Sequence, residues 1–144
     1  MPDLSPNMIL YPAFAMFFLV AFTLTRMARL RLAAVRAGEV RVSYYRTYHE
    51  GEEPEHMRVV TRHFINLFEL PVLFYVGVIF TYITHQVTLA LVLFAWAYVA
   101  IRYAHSFVHL TSNDVLTRFR LYFASNLFLL ALWVGLLLQL LRAN

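Results

Sequence analysis

Four long apolar runs alternate with polar stretches along the chain, over residues 8–28, 62–84, 88–109 and 118–141. Each is close to the roughly 20 apolar residues that a helix needs to cross a bilayer. The pattern therefore predicts an all-α, four-helix transmembrane bundle forming a single domain. The polar segment 29–61, punctuated by Gly38, Gly51 and Pro54 and carrying Glu50, Glu52, Glu53 and Glu55, reads as a long loop. Only a few residues around His85 and Gln86 separate the second and third runs, and so short a link predicts an antiparallel hairpin in an up-down topology. Pro71 falls inside the second run, where its missing N–H would free the Leu67 carbonyl and kink the helix. The first run is not expected to be a signal peptide, because Asp3 rather than a basic residue precedes it and no small-residue cleavage site follows.

Composition supports the same class. Of 144 residues 61% are hydrophobic and 14% charged, with a mean hydropathy of +0.63, against about 45–50% and about 25% in soluble domains. A soluble globular domain is excluded on those figures. There is no cysteine, which rules out a disulfide, an iron–sulfur cluster and a protein thiol nucleophile. All 12 basic residues are arginine. They are scattered through apolar sequence and build no basic face, so a nucleic-acid partner is not expected.

The arginines set the expected orientation. Arg29, Arg31, Arg36, Arg41, Arg46 and Arg58 follow the first run, and Arg118 and Arg120 follow the third, whereas the 85–87 link has none. Positive residues stay cytoplasmic, so the 29–61 loop and the third link face the cytoplasm and both termini face outward.

Ionisable residues inside a span are costly and mark sites by default. Here they form stripes at helical spacing: Arg62, Asn66 and Glu69 in the second run, Arg102, His105 and His109 in the third, Arg118, Tyr122 and Asn126 in the fourth. All three stripes lie toward the predicted cytoplasmic ends, so a bundle can gather them into one polar cleft. Glu69 needs a cation there, and Arg102 is the expected partner, since pairing offsets desolvation. The plainer readings stand beside this one: Glu69 and Arg102 as an interhelical clamp, the histidines as cross-helix hydrogen-bonding groups, and Arg118 and Arg120 as lipid anchors. Arg120 suits that last role, lying about 200° around the helix from Arg118. His105 and His109 also have metal-ligand spacing, but only His63 and Glu69 are near enough to complete a set, so no metal is assigned. His49, His56 and His85 have no evident partner.

The ordered segments Gly38-Glu39-Val40-Arg41, Arg62 with Asn66-Leu67-Phe68-Glu69 and Pro71, and Arg102-Tyr103-Ala104-His105 with His109, Arg118 and Tyr122 span nearly the whole chain. Together they resemble the MAPEG family, the membrane-associated proteins in eicosanoid and glutathione metabolism, with the last segment similar to its prostaglandin E synthase branch. That branch has arginine, tyrosine and serine where this chain has Ile65, His109 and Phe119, so the likeness is to a bacterial-type member.

The resemblance implies a homotrimer in the inner membrane that binds glutathione between neighbouring subunits on the cytoplasmic side. Asn66, Glu69, His105, His109, Arg118 and Tyr122 would contact glutathione, with Arg41 reaching in from the loop. Arg102 would belong to the site as the partner of Glu69, Arg62 would support it, and Arg118 would be the catalytic residue that activates the thiol. The implied function is a glutathione-dependent transferase or peroxidase acting on small hydrophobic, membrane-dissolved electrophiles. A non-catalytic lipid-binding scaffold of the same fold and a small four-span transporter remain open.

Overall fold

A computed structural model describes residues 4–48 and 53–143, which leaves His49, Glu50, Gly51, Glu52 and Asp3 outside the described residues. The described residues contain no strand. A 3₁₀ turn at Pro6–Ile9 leads into α1 (Leu10–Arg36). After it come α2 (Tyr44–Thr47), α3 (Glu55–Asn66), α4 (Leu70–Ile83), α5 (Leu89–Leu110) and α6 (Val115–Ala143). Four stretches are long and apolar enough to cross a membrane: Pro6–Arg36, Glu55–Ile83, Leu89–Leu110 and Val115–Ala143.

α1 runs past its apolar segment because Arg, Leu and Ala are all strong helix formers. At 27 residues it is about 40 Å long, so its arginine-rich end projects beyond a hydrocarbon core of about 30 Å. Met16, Leu19, Thr23 and Met27 form its buried stripe, while Phe14, Phe17, Phe18 and Phe22 are exposed on the outside. Gly38, at φ +74°, ends the helix. The N–H groups of Gly38 and Glu39 return to the carbonyls of Val35 and Ala34 at 3.1 and 3.0 Å, a Schellman closure that needs the left-handed residue.

The second crossing is broken rather than bent. The sequence predicts a continuous helix kinked at Pro71, whereas α3 stops at Asn66 and α4 restarts at Leu70 with Pro71 in its first turn. Proline is tolerated in that position, where its missing donor breaks no helical bond. Glu69, at φ −87° and ψ −105°, precedes the restart and has left the helical conformation. The break therefore sets one of the two polar residues of the N-x-x-E segment on a helix end and the other on the connection.

At the far end α4 closes through His85 (φ 58°), whose N–H and that of Gln86 return to Tyr82 and Thr81 at 3.2 and 3.1 Å. Thr88 then caps α5, accepting the Leu91 N–H at 3.4 Å. α5 and α6 make the most extensive helix pair, and α1 packs across α3, α4 and α5. The core is apolar, with Phe74 stacked on Tyr98 at 4.6 Å between ring centroids, among Met16, Leu67, Val78, Leu91, Ala95 and Leu132. A smaller cluster of Ala34, Val40, Tyr44 and Met57 packs α2 and the residues just before it against α1 and α3. Beside it Arg31 Nε and Glu53 Oε1 lie 3.8 Å apart, with the Thr61 hydroxyl donating to Glu53 at 3.1 Å.

Candidate functional site

α3, α5 and α6 leave a cleft of about 480 Å³ at one end of the bundle. α3 contributes Arg62, Ile65 and Asn66, and the break contributes Glu69. α5 supplies His105 and His109, and the first two turns of α6 supply Val115, Arg118, Phe119 and Tyr122. Six of the eight residues expected at the site thus share one lining: Asn66, Glu69, His105, His109, Arg118 and Tyr122.

The other two do not line it. Arg102 lies behind the wall with no exposed surface. Its Nη2 donates to Asn66 Oδ1 at 2.7 Å and reaches the Asn66 carbonyl at 3.4 Å, and the guanidinium carbon stands 5.7 Å from the Tyr122 ring centroid. Arg41 is exposed on the connection after Gly38, outside the lining of this cleft.

Glu69 and Arg102 are not in direct contact, contrary to the pairing expected from sequence. Asn66 stands between them, donating from Nδ2 to Glu69 Oε2 at 2.9 Å while its oxygen accepts from Arg102. An amide has one donor end and one acceptor end, so it can satisfy a cation and a carboxylate together in this orientation alone. The helix break is the reason: Glu69 is off the helical path, and its carboxylate turns to the asparagine rather than to the buried arginine.

Arg118 is held from the other side. Its Nη1 donates to Asn113 Oδ1 at 2.6 Å, and its Nε is buried without a partner among the described residues. It sits in the opening turns of α6, where the positive end of the helix dipole disfavours a cation. That placement concentrates positive potential at a helix N-terminus, a setting that suits an anion.

Three imidazoles meet beside the cleft. His63, with no exposed surface, lies 4.8 Å from His109 and 6.0 Å from His105 between ring centroids, and His105 and His109 are 5.7 Å apart. Among the described residues no group of three or more His, Cys, Asp or Glu side chains is arranged to hold a metal ion. Sequence spacing gave His63 no role except as a spare ligand, because its neighbours come from another helix. Asn113 was missed altogether, since it lies in a loop and carries no charge.

The lining joins cations (Arg62, Arg118) and a carboxylate (Glu69) to an apolar rim of Ile65, Val115 and Phe119. A small zwitterion with an excess of carboxylates matches the polar part, and a membrane-dissolved molecule matches the rim. The model of the MAPEG family matches residues 9–138, nearly the whole chain. This chain belongs to the MAPEG family. MAPEG proteins are generally membrane-embedded, oligomeric and associated with glutathione, and the four apolar helices make this MAPEG chain an integral membrane protein. The comparisons with curated proteins and with solved structures gave no match.

Proposed function

We propose that this MAPEG protein is a glutathione-dependent transferase or peroxidase acting on hydrophobic molecules that enter the cleft from the bilayer. The observation that carries this reading is Arg118, a guanidinium set in the first turns of α6 and lining the cleft, with its Nε buried and unpartnered among the described residues. Glutathione would supply a thiol whose anion attacks a carbon electrophile and expels its leaving group, or attacks the terminal oxygen of a hydroperoxide, releasing the alcohol and leaving a sulfenic acid that a second glutathione reduces to the disulfide and water. A free thiol has a pKa near 8.5, and a guanidinium hydrogen-bonded to sulfur favours the anion. Arg118 is the residue assigned that role.

The remaining lining divides by charge. Glu69 suits the amino group of the tripeptide, and Arg62 suits a carboxylate through its forked donors. Asn66, Tyr122 and His105 add neutral polar contacts, and His105 or His109 can hold the proton that the product needs. Arg41 is assigned to the cleft of a neighbouring subunit in a homotrimer, which accounts for its place outside the cleft of its own chain. The arginine asymmetry of the loops supports a cytoplasmic cleft and outward termini, and the likeness to bacterial-type members is the ground for assigning a bacterial inner membrane.

Calorimetric titration of glutathione into the detergent-purified protein, with Arg118→Ala and Glu69→Gln alongside, tests the reading. Saturable binding weakened by either substitution is the expected result. No binding by well-folded parent protein would sink it.

A lipid-binding role has one observation of its own. A groove of about 520 Å³ between α1 and α5, walled by Phe18, Phe22, Phe107 and Leu110 with Arg26 at its edge, fits an amphiphile with an anionic head. Lipid copurifying with a protein that binds no glutathione would favour that role.

A further inference from the structure

We infer that Asn113 is a positioning residue for the proposed thiol chemistry, holding one arm of the Arg118 guanidinium so that the rest of the fork faces the cleft with its charge intact. The inference rests on the glutathione reading and extends it to a residue outside the cleft lining.

Three observations support it. Arg118 Nη1 donates to Asn113 Oδ1 at 2.6 Å. Asn113 is itself fixed: it takes a left-handed conformation at φ 52°, and its N–H donates to the Val108 carbonyl at 2.8 Å. The adjacent Asp114 is turned away to the helix start, where Oδ2 accepts the Thr117 N–H at 2.7 Å. The chain therefore places a carboxylate and a carboxamide side by side and presents the neutral one to Arg118.

That choice has a chemical consequence. A carboxylate against the guanidinium would neutralise the charge that a thiolate needs, because an ion pair satisfies the cation before the sulfur reaches it. A carboxamide oxygen orients the planar fork through one donor and leaves the formal charge unopposed. The ordering matters because a free arginine side chain samples many rotamers, and an oriented fork has already lost that freedom before ligand binds.

The alternative role for Asn113 is conformational, since asparagine is enriched at left-handed positions. Glycine separates the two. Asn113→Gly keeps the left-handed backbone accessible and removes the acceptor, whereas Asn113→Asp keeps an acceptor in place and adds a charge.

The experiment is a pH titration of the ultraviolet thiolate absorbance of glutathione bound to the parent, Asn113→Gly and Asn113→Asp proteins. Calorimetric affinities are measured on the same samples. The expected result is a bound thiol whose pKa rises in both variants, with the thiolate fraction at neutral pH falling roughly fivefold or more. Their melting temperatures should stay near the parent value. Parent-like thiolate in Asn113→Gly would overturn the positioning role and leave the glutathione reading standing. Parent-like thiolate in Asn113→Asp alone would overturn the requirement for a neutral acceptor. Absence of glutathione binding by the parent would overturn both readings together.

Discussion

Arg102 Nη2 donates to the side-chain oxygen of Asn66 at 2.7 Å from a guanidinium with no exposed surface. Among the described residues its Nε and Nη1 have no protein partner, so Asn66 carries most of the compensation for a buried charge. The same asparagine passes its amide hydrogen to Glu69, and one neutral side chain thus organises both ends of the polar seam beneath the cleft.

Asn66→Leu should consequently be among the most damaging single changes. It leaves a buried cation without its acceptor, and breaking such a contact costs about 2–4 kcal/mol. A lowered melting temperature in detergent is the measurement. Arg102→Met in the Asn66→Leu background should restore part of the loss, since the stranded charge is then gone.

The spans were legible because hydropathy over a window of about 20 residues reports the solvent a helix faces. Helix ends were less so. α1 continues to Arg36 because arginine, leucine and alanine favour helix whether or not lipid surrounds them, and α3 begins at Glu55, directly after Pro54 and ahead of its apolar stretch. The three stripes gave the cleft its polar residues, as seven of their nine line it, all but Arg102 and Asn126. Periodicity tells which residues share a helix face but not how two faces meet. Hence the insertion of Asn66 between Glu69 and Arg102, the approach of His63 to His109 and the hold of Asn113 on Arg118 were not readable. Each depends on a helix break, a crossing or a loop conformation.

The start of α6 should respond to acid. Hydrogen bonding from Thr117, first from its side chain and then from its backbone N–H, holds the Asp114 carboxyl below its ordinary value, with the charge of Arg120 adding a smaller effect. A folded-state pKa below the unfolded one means that the contribution is complete above the ordinary carboxylate range. It is lost as pH falls through the depressed value. Asp114→Ala should therefore melt below the parent at neutral pH, and the gap should close as the buffer is taken below the ordinary aspartate range. Asp114→Asn, which can cap without titrating, should show a smaller gap with little pH dependence.

Gly135 permits the close approach of α6 to α5. A Cβ built there would lie 2.7 Å from Leu91 Cδ2, and Leu91 is almost fully buried. Small residues at helix crossings in membranes serve this purpose. For alanine the clash is set against a helix-propensity gain of about 1 kcal/mol, so Gly135→Ala should fall near neutral. Gly135→Val, which adds branched bulk without that gain, should lose about 1–3 kcal/mol by overpacking. Comparing the two melting temperatures checks the assignment, and an equally benign valine would refute it.

The role assigned to Arg118 predicts a graded series in turnover. Arg118→Ala removes the cation assigned to the sulfur, and losing a donor aimed at developing or resident anionic charge costs about a hundredfold or more. Arg118→Lys keeps a charge but loses the fork, because its three donors diverge from a single nitrogen and cannot reach Asn113 and the sulfur along the separate, fixed directions of a guanidinium. Its rate should lie between those of alanine and the parent. Glu69→Gln differs in kind: it retains an acceptor for Asn66 and removes the charge proposed for the amino group of glutathione. It should therefore weaken glutathione binding by roughly tenfold while leaving saturated turnover near the parent value. Steady-state kinetics with glutathione and an aryl halide, as both substrates are varied, separates these outcomes. A lysine variant as active as the parent would show that charge alone suffices and that the fork geometry at Arg118 is not what the chemistry uses.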